Sequence, residues 1–111
     1  MHFVIKENNV LDRETVEKFV SIVPEKWVNR INVIMVDTFD GNQIVMSYFR
    51  KKRILGVHIP KTFNGTKSSA LEDVAITIQA IAEYGVIPEK ISLIRFRKYK
   101  QNCKKLKGLV L

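Results

Sequence analysis

The feature that most constrains the fold is the apolar segment at residues 70–84, which reads ALEDVAITIQAIAEY. On a helical projection its polar side chains fall on one narrow strip, formed by Glu72, Gln79 and Glu83. Ser68 or Ser69 is placed to cap the start of this helix, and Gly85 is placed to end it. A helix that is apolar around most of its circumference must be covered by other elements. We therefore expect it to be the central helix, packed on a sheet.

Three segments upstream have the composition of β-strands, because they are rich in β-branched and aromatic residues. They span residues 32–37, 43–49 and 54–59. Residues 40–42, Asp-Gly-Asn, separate the first two segments and suit a turn, since Gly and Asn tolerate positive φ. The second and third are joined by a basic tetrapeptide, formed by Arg50, Lys51, Lys52 and Arg53. These short connections predict a three-stranded antiparallel meander with the tetrapeptide at a hairpin tip.

A first helix is predicted ahead of the strands. Asp12 is a suitable N-cap, and Pro24 ends the helical pattern. Between them, apolar residues follow at helical spacing: Val16, Phe19, Val20 and Val23. The predicted class is thus α+β, an antiparallel meander packed by two main helices over residues 13–23 and 70–84.

Length and composition limit the organisation of the chain. With 111 residues and 46% hydrophobic content, it has material for one core, so we expect a single globular domain over residues 1–90 followed by a C-terminal segment over residues 91–111. The apolar runs are far shorter than the roughly 18 residues of a membrane span, and residues 1–10 lack the pattern of a secretion signal. Cys103, the only cysteine, suits a reducing compartment. We therefore expect a cytoplasmic protein.

The positive charge of the chain is concentrated near its end. Residues 1–90 hold all eleven acidic residues and twelve of the nineteen Lys and Arg, whereas residues 91–111 hold seven Lys and Arg and no acid. The spacing of Phe96, Tyr99, Cys103 and Leu106 favours a helix here, although residues 91–97 could instead add a strand.

Cations interleaved with aromatic residues suit a nucleic acid, because they neutralise phosphates and stack on bases. The predicted phosphate-binding residues of the C-terminal segment are Arg95, Arg97, Lys98, Lys100, Lys104, Lys105 and Lys107. Tyr99 is the predicted stacking residue, and the tetrapeptide Arg50, Lys51, Lys52 and Arg53 is a second cationic group. We interpret the chain as a small non-enzymatic protein that binds DNA or RNA.

Two alternatives remain open for this basic segment. The cations could form a solvated helix face, which is the common role of such charges. They could also dock on an acidic protein partner, which would make the chain a protein-interaction or inhibitor module, or on a membrane surface. The apolar C-terminal residues Leu109, Val110 and Leu111 favour docking or self-association.

The sequence does not indicate a catalytic or metal site. His58 lies in an apolar strand and is interpreted as structural, while His2 is close to a terminus that we expect to be mobile. Cys103 has cationic neighbours but no histidine base in its sequence context. Asp37 and Asp40 could bind a divalent metal, but hairpin turns favour Asp for conformational reasons. We therefore predict no catalytic residue, metal or cofactor.

The order of the elements also resembles a known family. Residues 13–90 resemble the layout of minimal zincin-like metallopeptidases. The elements that carry this resemblance are, in order, a helix, the segment VPEKW, the strand NVIMVD, a hairpin, the strand ILGVHIP, a loop and an apolar helix ending in AEYG. In that family the last helix carries HExxH, in which two histidines bind zinc and the glutamate is the general base. Residues 79–83 read QAIAE here, so the resemblance implies a scaffold that lacks this activity.

Overall fold

The computed structural model describes residues 1–110, and the side chains of residues 1–109. The described chain forms four strands and four helices, which confirms the α+β class. In chain order the elements are β1 (His2–Ile5), α1 (Arg13–Ile22), α2 (Glu25–Val28), β2 (Val33–Phe39), β3 (Val45–Phe49), β4 (Ile54–Pro60), α3 (Lys67–Tyr84) and α4 (Leu93–Val110).

The sheet is mixed, and the predicted three-stranded antiparallel meander is not confirmed. Its strand order is β1-β2-β4-β3, with β1, β2 and β4 parallel and only β3 antiparallel to β4. In the centre, Val36 of β2 lies opposite Val57 of β4, and both are buried. β3 instead exposes Val45 and Phe49, which suits an edge position. The two strands with buried apolar rows thus pair in the centre, and β1 and β3, which contain no fully buried residue, lie at the edges.

The sequence did not indicate the N-terminal strand β1. Residues 2–5 pair in parallel with β2, so that His2 lies opposite Val33 and Ile5 opposite Val36. Parallel neighbours require a crossover connection, and α1 supplies it. The expectation that His2 lies in a mobile terminus is wrong, because β1 is hydrogen-bonded into the sheet.

One face of the sheet is covered by helices. Leu55, Val57 and Ile59 of β4 are at most 1% exposed and pack in a core to which all four helices contribute. Because side chains alternate along a strand, Gly56 and His58 lie on the opposite face. That second face is open to solvent in the described part of the chain.

The central helix α3 is confirmed, and its start lies earlier than predicted. Thr66 caps it, since its Oγ1 accepts a hydrogen bond from the Ser69 N–H at 3.0 Å, so neither Ser68 nor Ser69 is the cap. Gly85 ends the helix in the left-handed conformation with φ of 74°, and its N–H donates to the Ile81 carbonyl at 2.8 Å.

The C-terminal segment forms a helix and not a strand. Tyr99 and Cys103 of α4 are buried against α3, at 1% and 0% exposure. Asn102 Nδ2 donates to Gln79 Oε1 at 2.7 Å, and Gln79 Nε2 donates to the Tyr99 carbonyl at 3.1 Å. Apolar and polar contacts thus fix α4 on the body. None of the described helices combines the length and the apolar character that crossing a bilayer requires.

Candidate functional site

The first half of α4 is linked to Glu83, near the C-terminal end of α3. The guanidinium of Arg95 lies 2.8 Å from one carboxylate oxygen of Glu83, and Lys98 Nζ lies 3.8 Å from the other. Ser92 begins the helix, because its Oγ accepts from the Arg95 N–H at 3.2 Å. Two of the predicted phosphate-binding cations therefore have a carboxylate partner within the protein.

Glu72, near the start of α3, forms ion pairs with cations farther along α4. Lys107 Nζ lies 2.9 Å from one of its oxygens, and Lys100 Nζ lies 3.6 Å from the other. The hydrogen bond from Lys107 lowers the pKa of the Glu72 carboxyl, against the opposing effect of its partial burial. Only 16% of the Lys107 side chain is exposed, so this pair also helps to hold α4 in place.

Within residues 1–109, the seven cations of α4 have only these two carboxylates within ion-pair distance of any of them. Among the described residues, Arg97, Lys104 and Lys105 are exposed and have no carboxylate within ion-pair distance. Arg97 and Lys104 are two helical turns apart and share one face of α4. They line an open groove whose other lining residues are Glu72, Lys100, Gln101 and Lys107. We name this surface the α4 groove, and it carries four cations and one anion.

Tyr99 is not available for the stacking role predicted for it. Its side chain is 1% exposed, and burial together with the nearby Glu83 carboxylate raises its pKa to about 12. Phe96 is instead the aromatic residue that α4 exposes, at 38%. Lys100 Nζ lies 5.7 Å from the centre of its ring, a cation–π distance.

The basic tetrapeptide forms the tight connection between β3 and β4, as predicted, and Arg50, Lys51 and Lys52 are exposed there. Arg53 has a structural role, since it adopts a positive φ of 56° and its guanidinium donates to the Asn29 carbonyl. Its carbonyl also accepts from the N–H groups of residues 32 and 33, at 2.7 and 3.2 Å.

The tetrapeptide lies toward the C-terminal end of α3, whereas Glu72 of the α4 groove lies in the first turns of that helix. The tetrapeptide precedes β4 and contacts residue 29, next to Arg30, whose guanidinium approaches Gly85 at the C-terminal end of α3. Glu72 lies thirteen residues before Gly85, a helical rise of about 19 Å. The tetrapeptide is therefore distant from the Glu72 part of the α4 groove, and the R50Q/K51Q/K52Q variant can be compared with changes there.

The open face of the sheet carries a polar cluster that the sequence did not predict, formed by Asp37, Ser47 and His58. His58 Nδ1 lies 2.6 Å from Asp37 Oδ1, and His58 Nε2 lies 2.8 Å from Ser47 Oγ. Asp37 lies directly opposite His58 in the parallel β2–β4 pair, and Ser47 lies opposite Gly56 in the antiparallel β3–β4 pair. Alternation along the strands could have placed all three on one face, but their contact depends on β2 pairing with β4.

The remaining predicted groups offer little chemistry. Cys103 is fully buried, which raises its thiol pKa, so it is not a reactive cysteine. Asp37 contacts His58, whereas Asp40 pairs with Lys61 at 3.6 Å, so the two carboxylates do not form a joint metal site. Within the described residues, no group of three His, Cys, Asp or Glu side chains could hold a metal ion.

The resemblance to zincin-like metallopeptidases stays a prediction. Gln79, at the place of the first zinc ligand of HExxH, is 4% exposed and bonded to α4. Comparisons with protein-family models, with curated proteins and with solved structures found no match to this chain. Function is therefore inferred from the geometry of this molecule.

Proposed function

We propose that the protein binds the phosphate backbone of a nucleic acid through the outer surface of α4. The observation that supports this is the charge imbalance on that helix, where seven cations have two carboxylate partners among the described residues, both on α3. The groove cations Arg97, Lys100 and Lys104 lie on one helical face, so a single phosphate chain running along α4 could contact all of them.

The expected binding is independent of sequence. Tyr99 is buried, and the ring of Phe96 is partly covered by Lys100, so α4 offers charge more than stacking surface. Phosphate contacts release counterions, and each one contributes about −0.9 to the slope of log affinity against log salt on duplex DNA. If Arg97, Lys100, Lys104 and Lys105 all contact phosphates, the slope should be roughly −3.6.

The decisive experiment is a binding titration with fluorescent duplex DNA and single-stranded RNA at several salt concentrations. The test variant is R97Q/K104Q/K105Q, which removes the three exposed cations that have no carboxylate partner in the described structure. The matched control is R50Q/K51Q/K52Q, which removes three exposed cations from the tetrapeptide. We expect the α4 variant to lose most of its affinity and about 2.7 of the slope, and the control to keep α4-mediated binding.

Removal of a negative charge from the α4 groove tests the same proposal, because it should raise the affinity for nucleic acid. E72Q removes the anion of the α4 groove and leaves Lys100 and Lys107 without their partner. We expect E72Q to bind DNA more tightly than the unmodified chain, measured well below its unfolding temperature. Two results would contradict the proposal: no binding at low salt, or an α4 variant that binds as well as the control. Either would show that these cations form a solvated helix face and do not bind nucleic acid.

Docking on an acidic protein partner is a second candidate. Leu93 and Ile94, at the start of α4, are 62% and 81% exposed, and Leu109 near its end is 74% exposed. The side chain of Val110 and all of Leu111 lie outside the described residues. Exposed apolar residues beside cations suit a protein interface more than a phosphate chain. A partner that is retained after nuclease digestion in a pull-down would favour this function.

A further inference from the structure

The open face of the sheet carries an arrangement of side chains known from nucleophilic catalysis. The imidazole of His58 lies between a carboxylate at Nδ1 and a hydroxyl at Nε2, at 2.6 and 2.8 Å. A carboxylate at Nδ1 favours the tautomer that carries its proton there, so Nε2 is left to accept a proton from the hydroxyl. Such a constellation is recognised by geometry and roles, and not by the order of its residues in the chain.

We propose that Ser47 is a nucleophile activated by His58, with Asp37 as the residue that positions the imidazole, and that it takes acyl groups from esters. This inference is independent of nucleic-acid binding. It assigns chemistry to a histidine that the sequence pattern indicated as structural.

Gly56 is a second observation in favour of this site. A Cβ at this position would lie 2.5 Å from Ser47 Oγ and 2.9 Å from His58 Nε2, both too close for real atoms. Gly56 is in a central strand, where glycine is destabilising relative to alanine. A strand glycine often marks a close approach, and here it lets the imidazole lean over the backbone of β4 to reach the serine on β3.

The surroundings fit an apolar acyl group. His58 and Asp37 are 26% and 39% exposed, so a ligand can reach them, and Ser47 is half-buried. Val45, opposite His58 in the β3–β4 pair, is 45% exposed. The ring of Phe39 meets the imidazole edge-on, with ring centres 6.5 Å apart. These two apolar side chains flank the cluster on the open face.

The proposed reaction has two steps. Ser47 Oγ attacks the ester carbonyl carbon while its proton passes to His58 Nε2, and Asp37 stabilises the resulting imidazolium at Nδ1. The bond to the leaving alcohol then breaks, and His58 returns the proton to that alcohol, which leaves an ester on Ser47. In the second step water attacks this acyl group and gives its proton to His58. The carboxylic acid departs as the serine regains its hydrogen.

The direct test is labelling of the full chain with a fluorophosphonate, whose phosphorus forms a bond with an activated serine oxygen and loses fluoride. Intact-mass measurement and peptide mapping give the number of labelled sites and the residue. We expect one adduct, on Ser47, and none in S47A. H58Q should react about 100-fold more slowly, in line with the usual contribution of a general base. S21A, which changes an exposed serine outside the cluster, is the matched control and should label as the unmodified chain does.

The positioning role of Asp37 needs a readout that altered packing alone would not move. In D37N the amide can donate to Nδ1, so we expect the other imidazole tautomer, visible in the nitrogen NMR shifts of His58, together with slower labelling. Circular dichroism and the unfolding temperature identify any variant that does not fold. If H58Q is unfolded, D37N carries the test. Three results would overturn the proposal. The first is labelling of other serines, and the second is no labelling at all. The third is that folded H58Q and D37N variants react as fast as the unmodified chain.

Discussion

The substitution G56A should destabilise the protein, although alanine is normally the better residue in a strand. The new Cβ would lie 2.5 Å from Ser47 Oγ and 2.9 Å from His58 Nε2, so at least one of these side chains must move. Ser47 can rotate away, but it then loses its hydrogen bond to His58. The predicted effect is therefore a local steric conflict that disconnects the serine from the histidine.

The magnitude follows from three contributions. Overpacking a tight site costs about 1–3 kcal/mol. Loss of one hydrogen bond costs about 0.5–1.5 kcal/mol, while replacement of a strand glycine by alanine returns about 0.5–1 kcal/mol. The net expectation is a loss of roughly 0.5–4 kcal/mol in the free energy of unfolding, centred on about 2 kcal/mol. For a domain of this size, the central value lowers the unfolding temperature by about 8 °C.

Urea unfolding followed by the fluorescence of Trp27, the only tryptophan, gives this free energy. G108A is the control, because a Cβ at position 108 of α4 meets nothing within 4 Å and alanine favours the helix by up to about 1 kcal/mol. The double variant S47A/G56A removes the atom that the new Cβ meets first, so its loss should be smaller than the sum of the two single losses. If G56A is as stable as the unmodified chain, or if the two substitutions are additive, the close approach deduced from the structure is wrong.

The other predictions concern α4 and its contacts with α3. The pKa of Glu72 is lowered in the folded protein, so its contribution to stability is present above the ordinary value of 4.5 and is lost as the pH falls through the lower folded value. Thermal unfolding should therefore be measured at a series of pH values for the unmodified chain and for E72Q. We expect the unmodified chain to have the higher unfolding temperature near neutral pH, and the difference to disappear in the acid range. The Tyr99 hydroxyl is buried near the Glu83 carboxylate but makes no well-aligned hydrogen bond among the described residues, so Y99F should change the free energy of unfolding by less than about 1 kcal/mol. A loss above about 2 kcal/mol in urea unfolding would reveal a partner for that hydroxyl. Cys103 is fully buried with a raised pKa, so a thiol reagent should modify it slowly in the folded chain and rapidly in urea, and fast modification without urea would mean that α4 is not docked as described.

The elements that the sequence predicted are those with strong local signals. The apolar segment before Gly85 specifies α3, because a long apolar run with a glycine at its end has few other structures. Its start was misplaced by three residues, since Thr66, Ser68 and Ser69 are all able to cap a helix. The residues of β2, β3 and β4 were also found approximately, because strand composition is a local property.

The pairing of these strands could not be read in the same way. Short connections favoured a meander, but β2 and β4 both have buried apolar residues on one face, and burying them side by side places β3 at the edge. The pairing of the strands depends on how the whole core packs, so the sequence of a single segment does not indicate it. β1 was missed because four residues are too few to show a period.

The same limit applies to the candidate sites. Counting residues revealed the surplus of cations in α4, but not which of them are paired. Glu72 and Glu83 were recognised as one polar strip of α3, and the spacing of Tyr99 and Cys103 indicated one apolar face of α4. When the apolar face of α4 packs on α3, its cations lie beside the polar strip and form ion pairs with Glu72 and Glu83. Composition alone does not indicate this packing.

The two proposed sites occupy opposite sides of the core and should act independently. α4 packs with α3 on the helical side, whereas Asp37, Ser47 and His58 lie on the open face of the sheet. A sheet and a layer of helices separate them, a distance of about 10 Å or more, and at physiological salt the field of an exposed charge falls off over about 8 Å. The cations of α4 therefore have little electrostatic influence on the cluster of Asp37, Ser47 and His58. An altered reactivity of Ser47 in the α4 charge variant would mean that the core, and not the charge, had changed.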